Sequence, residues 1–346
     1  MKAVIYETYG GPEVLNLVDI PTPRPRENEI LIKVMATSAT TADWRIRSLS
    51  MPYGFKLIAR LVFGFNQPRK RILGTELSGV VAECGASVSK YEIGDKVIAQ
   101  VGAEMGAYAE YCCLNENKVI VKMPACLNYA EAATLSFGFT TAWAYLVDKA
   151  KVQAGQSVLI HGSSGSVGVA AIQVAKHLGA QVTAVSSGRN SDFVKSHGAD
   201  FFIDYTVSDF AKNGIQYDYI LDCFGNLTFA KVKNSLTPHG KFIVVSGDLP
   251  QLLAAPFVNI SHRKKIVAAP VTDSLETLQK VVNLFAAKKF VPVIDQVFSL
   301  DDIREAHAYV DRRHRKGNVA IKVAERESCS NRLFKFPFSF TNKSFQ

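Results

Sequence analysis

The sequence predicts an α/β chain in two parts, a compact β domain followed by a doubly wound parallel sheet. Three observations predict it. The first third is a series of short β-branched or alternating runs punctuated by Gly and Pro, the pattern of many strands and frequent turns. From Pro124 onward, near-continuous apolar strands alternate with helical segments, as in a parallel sheet covered on both faces. A glycine-rich turn joins one of these strands to the helix after it, the arrangement of a nucleotide-binding domain.

In order, residues 3–6, 29–36, 79–84, 95–99 and 107–114 read as strands, separated by turns such as Gly10-Gly11-Pro12 and Gly94. Residues 128–135 and 140–149 read as helices. Then follow strand 157–161, helix 167–178, strand 182–187, a short helix at 191–198, and strands 201–205, 219–223 and 241–246. Helix 275–288, strand 293–298, helix 300–311 and strand 318–323 complete the pattern, and this last part is expected to return to the β domain. Beyond it, Phe334, Phe336, Phe338 and Phe340 alternate, but Pro337 and polar flanks argue against a strand. A flexible tail is expected there.

The chain has 346 residues, 48% hydrophobic and 21% charged, which suits a globular protein of two domains. No window approaches the roughly 20 apolar residues of a membrane span, so no integral membrane protein is expected. The start, MKAVIYETYGG, reads as a strand and turn rather than an export signal, so a cytoplasmic location is expected. Six cysteines (Cys84, Cys112, Cys113, Cys126, Cys223 and Cys329) form no CxxC pair and read as free thiols in a reducing compartment. The net charge of +9 is spread along the chain, with small clusters at 69–71, 263–265 and 312–316. These clusters lack interleaved aromatics and any DNA-binding spacing, so nucleic acid is not an expected partner. They read as solvated faces, with a site for an anionic cofactor accounting for part of the excess.

The strongest local signal is the run from Ser157 to Lys176. An apolar strand enters Gly162-x-x-Gly165-x-x-Gly168 and a helix begins at once. Gly165 and Gly168 fit the last two glycines of the dinucleotide fingerprint, while Ser163 stands where its first would be. Glycines let backbone approach a pyrophosphate, and a helix start presents free N–H groups and partial positive charge. An acid ending the next strand would hold a ribose 2′-hydroxyl, whereas a basic residue favours a 2′-phosphate. Here that strand ends Ser186-Ser187-Gly188-Arg189. Arg189 can fork onto a phosphate, so NADP is favoured over NAD.

These residues resemble the medium-chain dehydrogenases/reductases, most closely their zinc-free quinone oxidoreductase branch. The segments His161–Gly168, Gly11–Leu15, Gly74–Gly79, Gly94–Val97, Ser136–Trp143, Gly198–Tyr205 and Gly317–Val323 agree with that branch in order and spacing. The resemblance spans residues 1–323. It implies a GroES-like β-barrel catalytic domain (1–125 and 268–323), a Rossmann domain (126–267), a tail at 324–346, an active site in the cleft between the domains, and a homo-oligomer, commonly a dimer. It further implies that Ser164, Gly165, Ser166 and Val167 line the pyrophosphate. Ser187, Arg189 and Tyr205 would surround the adenosine 2′-phosphate, and Thr141 would approach the nicotinamide carboxamide. Backbone at Cys223, Phe224, Gly225, Asn226, Ser246 and Gly247 would flank the nicotinamide ribose.

The zinc-dependent branch carries a ligand cysteine after its early strand and a GHE motif. This chain has Met35–Asp43 without a cysteine, and Gly74-Thr75-Glu76. Zinc needs about three protein N, S or O ligands, and the seven histidines are scattered. No metal is expected. Without a Lewis acid the acceptor must already be activated, as quinones and conjugated enones are, and the protein would position reactants and stabilise a developing oxyanion. Thr40, where relatives often carry Asn, and Tyr53 are the expected substrate-side donors. The segment 49–73 reads as a short apolar helix with a basic end, and is expected to be a lid over a bulky apolar substrate rather than a membrane contact. The alternatives are a non-catalytic NADPH-binding regulatory or membrane-associated protein on the same fold, and a zinc-independent alcohol oxidation.

Overall fold

Two sheets organise the chain in the computed structural model, which describes residues 1–268 and 271–324. The expected Phe-rich tail lies outside the described residues. β1 (Lys2–Ile5) and β2 (Asn16–Asp19) form a small antiparallel pair. β3 (Glu29–Ser38) is the spine of the first large sheet. One side pairs antiparallel with β4 (Glu76–Cys84), from which β5 (Lys96–Gln100) and β7 (Ile120–Lys122) continue. The other side is shared. β6 (Tyr111–Asn115) pairs with the start of β3 and β15 (Asn318–Lys322) with its end, β14 (Ile294–Ser299) lying parallel outside β15. Alternation along β3 buries Ile30, Ile32 and Val34 in one cluster with Leu77, Val97 and Leu114.

The second sheet is fully parallel, in the order β10 (Phe201–Asp204), β9 (Gln181–Ser186), β8 (Ser157–His161), β11 (Tyr217–Asp222), β12 (Leu236–Val244), β13 (Lys265–Val267). The centres of its middle strands, Val158, Leu159 and Ile160 in β8 and Ile220 and Leu221 in β11, are wholly buried, as expected where helices cover both faces. This is a GroES-like barrel joined to a Rossmann-like sheet, the fold class the sequence predicts.

Between β3 and β4 lie α1 (Thr41–Ser48) and α2 (Lys56–Phe63). α3 (Tyr129–Ala133) packs on β3, β4 and β15. α4 (Ser136–Trp143) runs into a wider turn at Ala144–Lys149 and packs against α5 (Ser166–His177). Gly138 makes this approach possible, since a Cβ there would sit 2.9 Å from the Ser166 carbonyl oxygen. Short helices α6 (Ser191–Ser196) and α7 (Phe229–Val232) follow β9 and β11. α8 (Leu249–Ser261) covers β13. α9 (Leu275–Ala286) buries Leu278, Val281, Val282 and Phe285 in the core of the parallel sheet, and α10 (Ile303–Asp311) returns to the barrel side. Segments on either side of the expected boundaries at 125 and 267 therefore interleave.

α1 and α8 are not among the helices read from the sequence. Pro250 and Pro256 break the α8 pattern on paper. In the structure Pro250 occupies the first turn, where its missing N–H costs nothing. The α1 start is a capping box between Thr40 and Asp43.

Candidate active site

β8 enters the glycine loop at Gly162, whose φ of 74° is a conformation that side chains disfavour. α5 starts at Ser166 with Gly165 as N-cap, and no side chain caps its first-turn amides, which leaves them as ligand donors. Gly168 is required by packing. A Cβ there would lie 2.3 Å from the Gly162 carbonyl oxygen and 2.7 Å from Ser163 Cα. The loop is also fastened to the barrel. Gly317 N donates to the Ser164 carbonyl at 2.8 Å, and Ser166 Oγ donates to Asn318 Oδ1.

A cleft of about 500 Å³ opens beside this loop, within the range of small-molecule sites. Thr141, Ser164, Gly165, Ser166, Val167, Cys223, Phe224 and Ser246 all line it, opposite Thr41, Trp44, Arg45, Met51 and Phe63 of the barrel side. Thr141 Oγ1 donates back to the Phe137 carbonyl at 2.6 Å. Gly225 brings the loops after β11 and β12 together, because a Cβ there would meet the Ser246 carbonyl at 2.6 Å. Gly225 and Gly247 stand behind the lining rather than in it.

Asp222 organises the loop after β11 and was not singled out from the sequence. Fully buried, it accepts from His161 Nδ1 at 3.1 Å and from the amides of Phe224, Gly225 and Leu227 at 2.9–3.1 Å. A buried Asp ending a strand just before a glycine is the signal that could have found it.

Ser187, Arg189 and Tyr205 gather where β9 and β10 end side by side, Ser186 being in register with Asp204. Arg189 is exposed and Ser187 half-buried. Asn190 Nδ2 donates to Ser164 Oγ at 3.1 Å and Ser187 Oγ at 3.3 Å, linking this end to the glycine loop.

Three expected site residues stand elsewhere. Ser163 is fully buried and faces away from the cleft. Its amide and its hydroxyl both donate to the Val185 carbonyl, so it anchors the loop to β9. Thr40 is 3% exposed. Its Oγ1 donates to Asp43 Oδ2 at 2.5 Å while accepting from Asp43 N at 3.1 Å, so its hydroxyl is committed to capping α1. Tyr53 is 78% exposed and outside the cleft lining. Thr41, one residue on, is the threonine that faces the cleft.

The basic cluster at 312–316 is not simply a solvated face. Arg313 and Arg315 line the cleft with Arg45, and among the described residues no Asp or Glu does. Arg315 Nη2 donates to Thr41 Oγ1 at 2.6 Å, and burial lowers its pKa to about 10. The Arg313 guanidinium lies 4.3 Å from the centre of the Trp44 ring, a cation–π contact. Arg45 is depressed by burial and then by the Arg313 charge, and its buried Nε has no partner. Open amides, an unpaired guanidinium nitrogen and an acid-free lining fit a dinucleotide bearing phosphates.

The positions where zinc-dependent relatives would place ligands fit that ion poorly. Thr40 Oγ1 and Thr75 Oγ1 stand 3.4 Å apart, and Asp43 already accepts from Thr40 N, Thr40 Oγ1, Thr75 Oγ1 and Gly74 N. Neutral hydroxyls are not among the common protein ligands of zinc. Among the described residues, no group of three or more His, Cys, Asp or Glu is arranged to hold a metal.

Comparison with known proteins agrees with this geometry. The alcohol dehydrogenase GroES-like domain family matches residues 26–125, and a family described as zinc-binding dehydrogenase matches 197–321. The chain is 32% identical to the chloroplastic quinone-oxidoreductase QR1 of Triphysaria versicolor, over 93% of this chain and 98% of that protein. It is 29% identical to a chloroplastic NADPH-dependent alkenal/one oxidoreductase of Arabidopsis thaliana, over 93% and 79%. The solved quinone oxidoreductase of Coxiella burnetii superposes with a TM-score of 0.81 at 31% identity, over 94% of this chain and 99% of that one.

Proposed function

Because this chain belongs to the quinone oxidoreductase family of the medium-chain dehydrogenases/reductases, we propose that it reduces a quinone or an α,β-unsaturated carbonyl with NADPH and without a catalytic metal. One observation carries the reading. The uncapped start of α5 opens into a cleft lined, among the described residues, by three arginines and no carboxylate. The matched alkenal/one oxidoreductase is described as NADPH-dependent, and the basic end of β9 at Arg189 agrees with a 2′-phosphate.

NADPH, when bound, supplies the hydride. The first-turn amides of α5 and Arg315 would hold the pyrophosphate. The loops anchored by Asp222 and Gly225 would fix the ribose, and Thr141 would flank the carboxamide. As charge moves onto the acceptor's conjugated oxygen, Thr41 is the placed donor. Its oxygen accepts from Arg315, so its own proton is directed elsewhere and its acidity is increased by the neighbouring cation. Thr41 thus takes the role first assigned to Thr40, with solvent returning the proton. Trp44, Met51 and Phe63 give the acceptor an apolar wall.

A dimer remains the proposed assembly. Among the described residues no strand pairs with the outer edge of β13, which is able to accept a partner strand, and the adjoining α8 exposes Leu253, Phe257 and Ile260. A reducing compartment is proposed from the cysteines, since Cys84, Cys112, Cys113, Cys126 and Cys223 are all free thiols. The test is NADPH and NADH oxidation followed at 340 nm against quinones, enones and aldehydes. Turnover of quinones or enones with NADPH preferred is the expected result. NADPH binding with no turnover of any activated acceptor would instead select the non-catalytic reading.

A further inference from the structure

Between Asp43 and Glu76 the sequence contains no acidic residue. This stretch includes α2, which touches the rest of the protein through a narrow strip. Ala59 is buried, and Phe63 and the preceding Met51 line the cleft. The opposite face is apolar and open. Leu57, Ile58, Leu61 and Val62 are 61, 46, 59 and 53% exposed, and Phe65 is 55% exposed. Helix positions i, i+1, i+4 and i+5 form one stripe, so these side chains make a continuous apolar face.

The cations ring that face. Arg60 lies over the Phe65 ring at 5.4 Å and donates to the Phe65 carbonyl at 2.7 Å. Arg69 reaches the Val62 carbonyl at 3.4 Å, while Lys56 and Lys70 are exposed at either end of the segment. A protein partner would require carboxylates placed around an apolar groove. An anionic bilayer presents both needs at once, negative headgroups above an apolar layer. No described helix is long and apolar enough to cross a membrane, so the contact is interfacial.

We propose that α2 and the loop to Arg71 dock on an anionic lipid surface, with the cleft mouth turned toward the bilayer. Met51, just before α2, and Phe63, its last residue, then lie between the lipid and the cofactor loop, and an acceptor dissolved in the membrane enters past them. The docking goes beyond the proposed chemistry and does not depend on which acceptor is reduced.

The test is co-sedimentation of the full chain with vesicles of phosphatidylcholine alone or mixed with phosphatidylglycerol. Binding is expected only with the anionic lipid and is expected to weaken as salt is raised. The double variants Leu57→Glu/Leu61→Glu and Lys56→Glu/Lys70→Glu should each lower vesicle affinity by about tenfold or more. Both should oxidise NADPH with a water-soluble quinone within about twofold of the parent rate, since none of the four residues lines the cleft. Absence of binding, equal binding to neutral vesicles, or unchanged binding by both variants overturns the proposal. So does a dimer that becomes monomeric in Leu57→Glu/Leu61→Glu, which would show that a second copy of the chain covers this face.

Discussion

Replacing Glu76 by Gln should change how stability depends on pH, in a direction and amount set by its surroundings. Glu76 is 1% exposed. Its carboxyl accepts from Ser38 Oγ, Ser136 Oγ and, at 2.7 Å, Phe137 N. Burial outweighs these bonds and raises its pKa from 4.5 to about 7, with the Asp43 charge adding to the rise. A carboxyl raised in the folded state holds its proton more tightly there than when unfolded. Its stability is fully present below pH 4.5 and is lost as pH climbs through 7. The displacement of about 2.5, at 1.36 kcal/mol for each pKa unit, amounts to about 3 kcal/mol. Gln keeps the shape and carries no proton to lose. The stability of Glu76→Gln minus that of the parent should therefore rise by about 3 kcal/mol between pH 4.5 and 7.5. The difference matters because the parent curve alone hides the effect. Buried His307 is lowered from 6.5 to about 3. The unfolded chain takes up its proton first, so stability contributed by His307 is lost as pH falls from 6.5, opposing Glu76 over the shared range. Urea titrations of both proteins across this range measure the difference. A flat difference would show that Glu76 ionises normally and that the burial argument fails.

Two further predictions concern charge. Arg189→Ala should raise the KM for NADPH by roughly 10–100-fold, the worth of a hydrogen bond to a charged group, and leave that for NADH within about twofold; equal effects on both would show that the phosphate pocket lies elsewhere. Asp311→Ala should cost about 3–5 kcal/mol, because Arg47, wholly buried, pairs with Asp311 at 2.7 Å and would be left without a carboxylate. Calorimetry checks it, and a loss below about 1 kcal/mol would mean that this pair is screened like a surface one.

What the sequence disclosed was whatever depends on chain-local physics. Strand 157–161 and its helix were legible because apolar runs and glycine spacing act within a few residues. The expected strand at 107–114 is regular only over Tyr111–Asn115, because residues 108–110 bond instead to β1, through Val4 N to the Tyr108 carbonyl, Glu110 N to the Lys2 carbonyl and the bridge between Ala3 and Ala109. Resemblance to relatives places a substrate-side donor at Thr40, whereas the folded chain commits that hydroxyl to Asp43. The spacing Thr40-x-x-Asp43 was itself a capping signal, and a hydroxyl that caps a helix and bonds a buried carboxylate is not available to substrate. Arg313 and Arg315 looked like any basic run. Their place in the cleft follows from Gly317 pairing with Gly165, a contact across 152 residues that no local pattern carries.

That long-range contact also constrains how ligands enter. The glycine loop is held on three sides: by β9 through Ser163, by β15 through Gly317 and Asn318, and by α4 through Gly138. Opening the cleft at this loop would break hydrogen bonds on the barrel side and separate the close approach of α4 and α5. The opposite wall is built differently. α2 contributes only Ala59 to the buried set, and its cleft residue Phe63 is half-buried, so little buried surface resists its displacement. Motion that admits an acceptor is therefore expected in α2 rather than in the cofactor loop. Amide exchange measured over the full chain should be fast at residues 56–63 and slow at 163–169. The reverse order would place the entrance at the dinucleotide side.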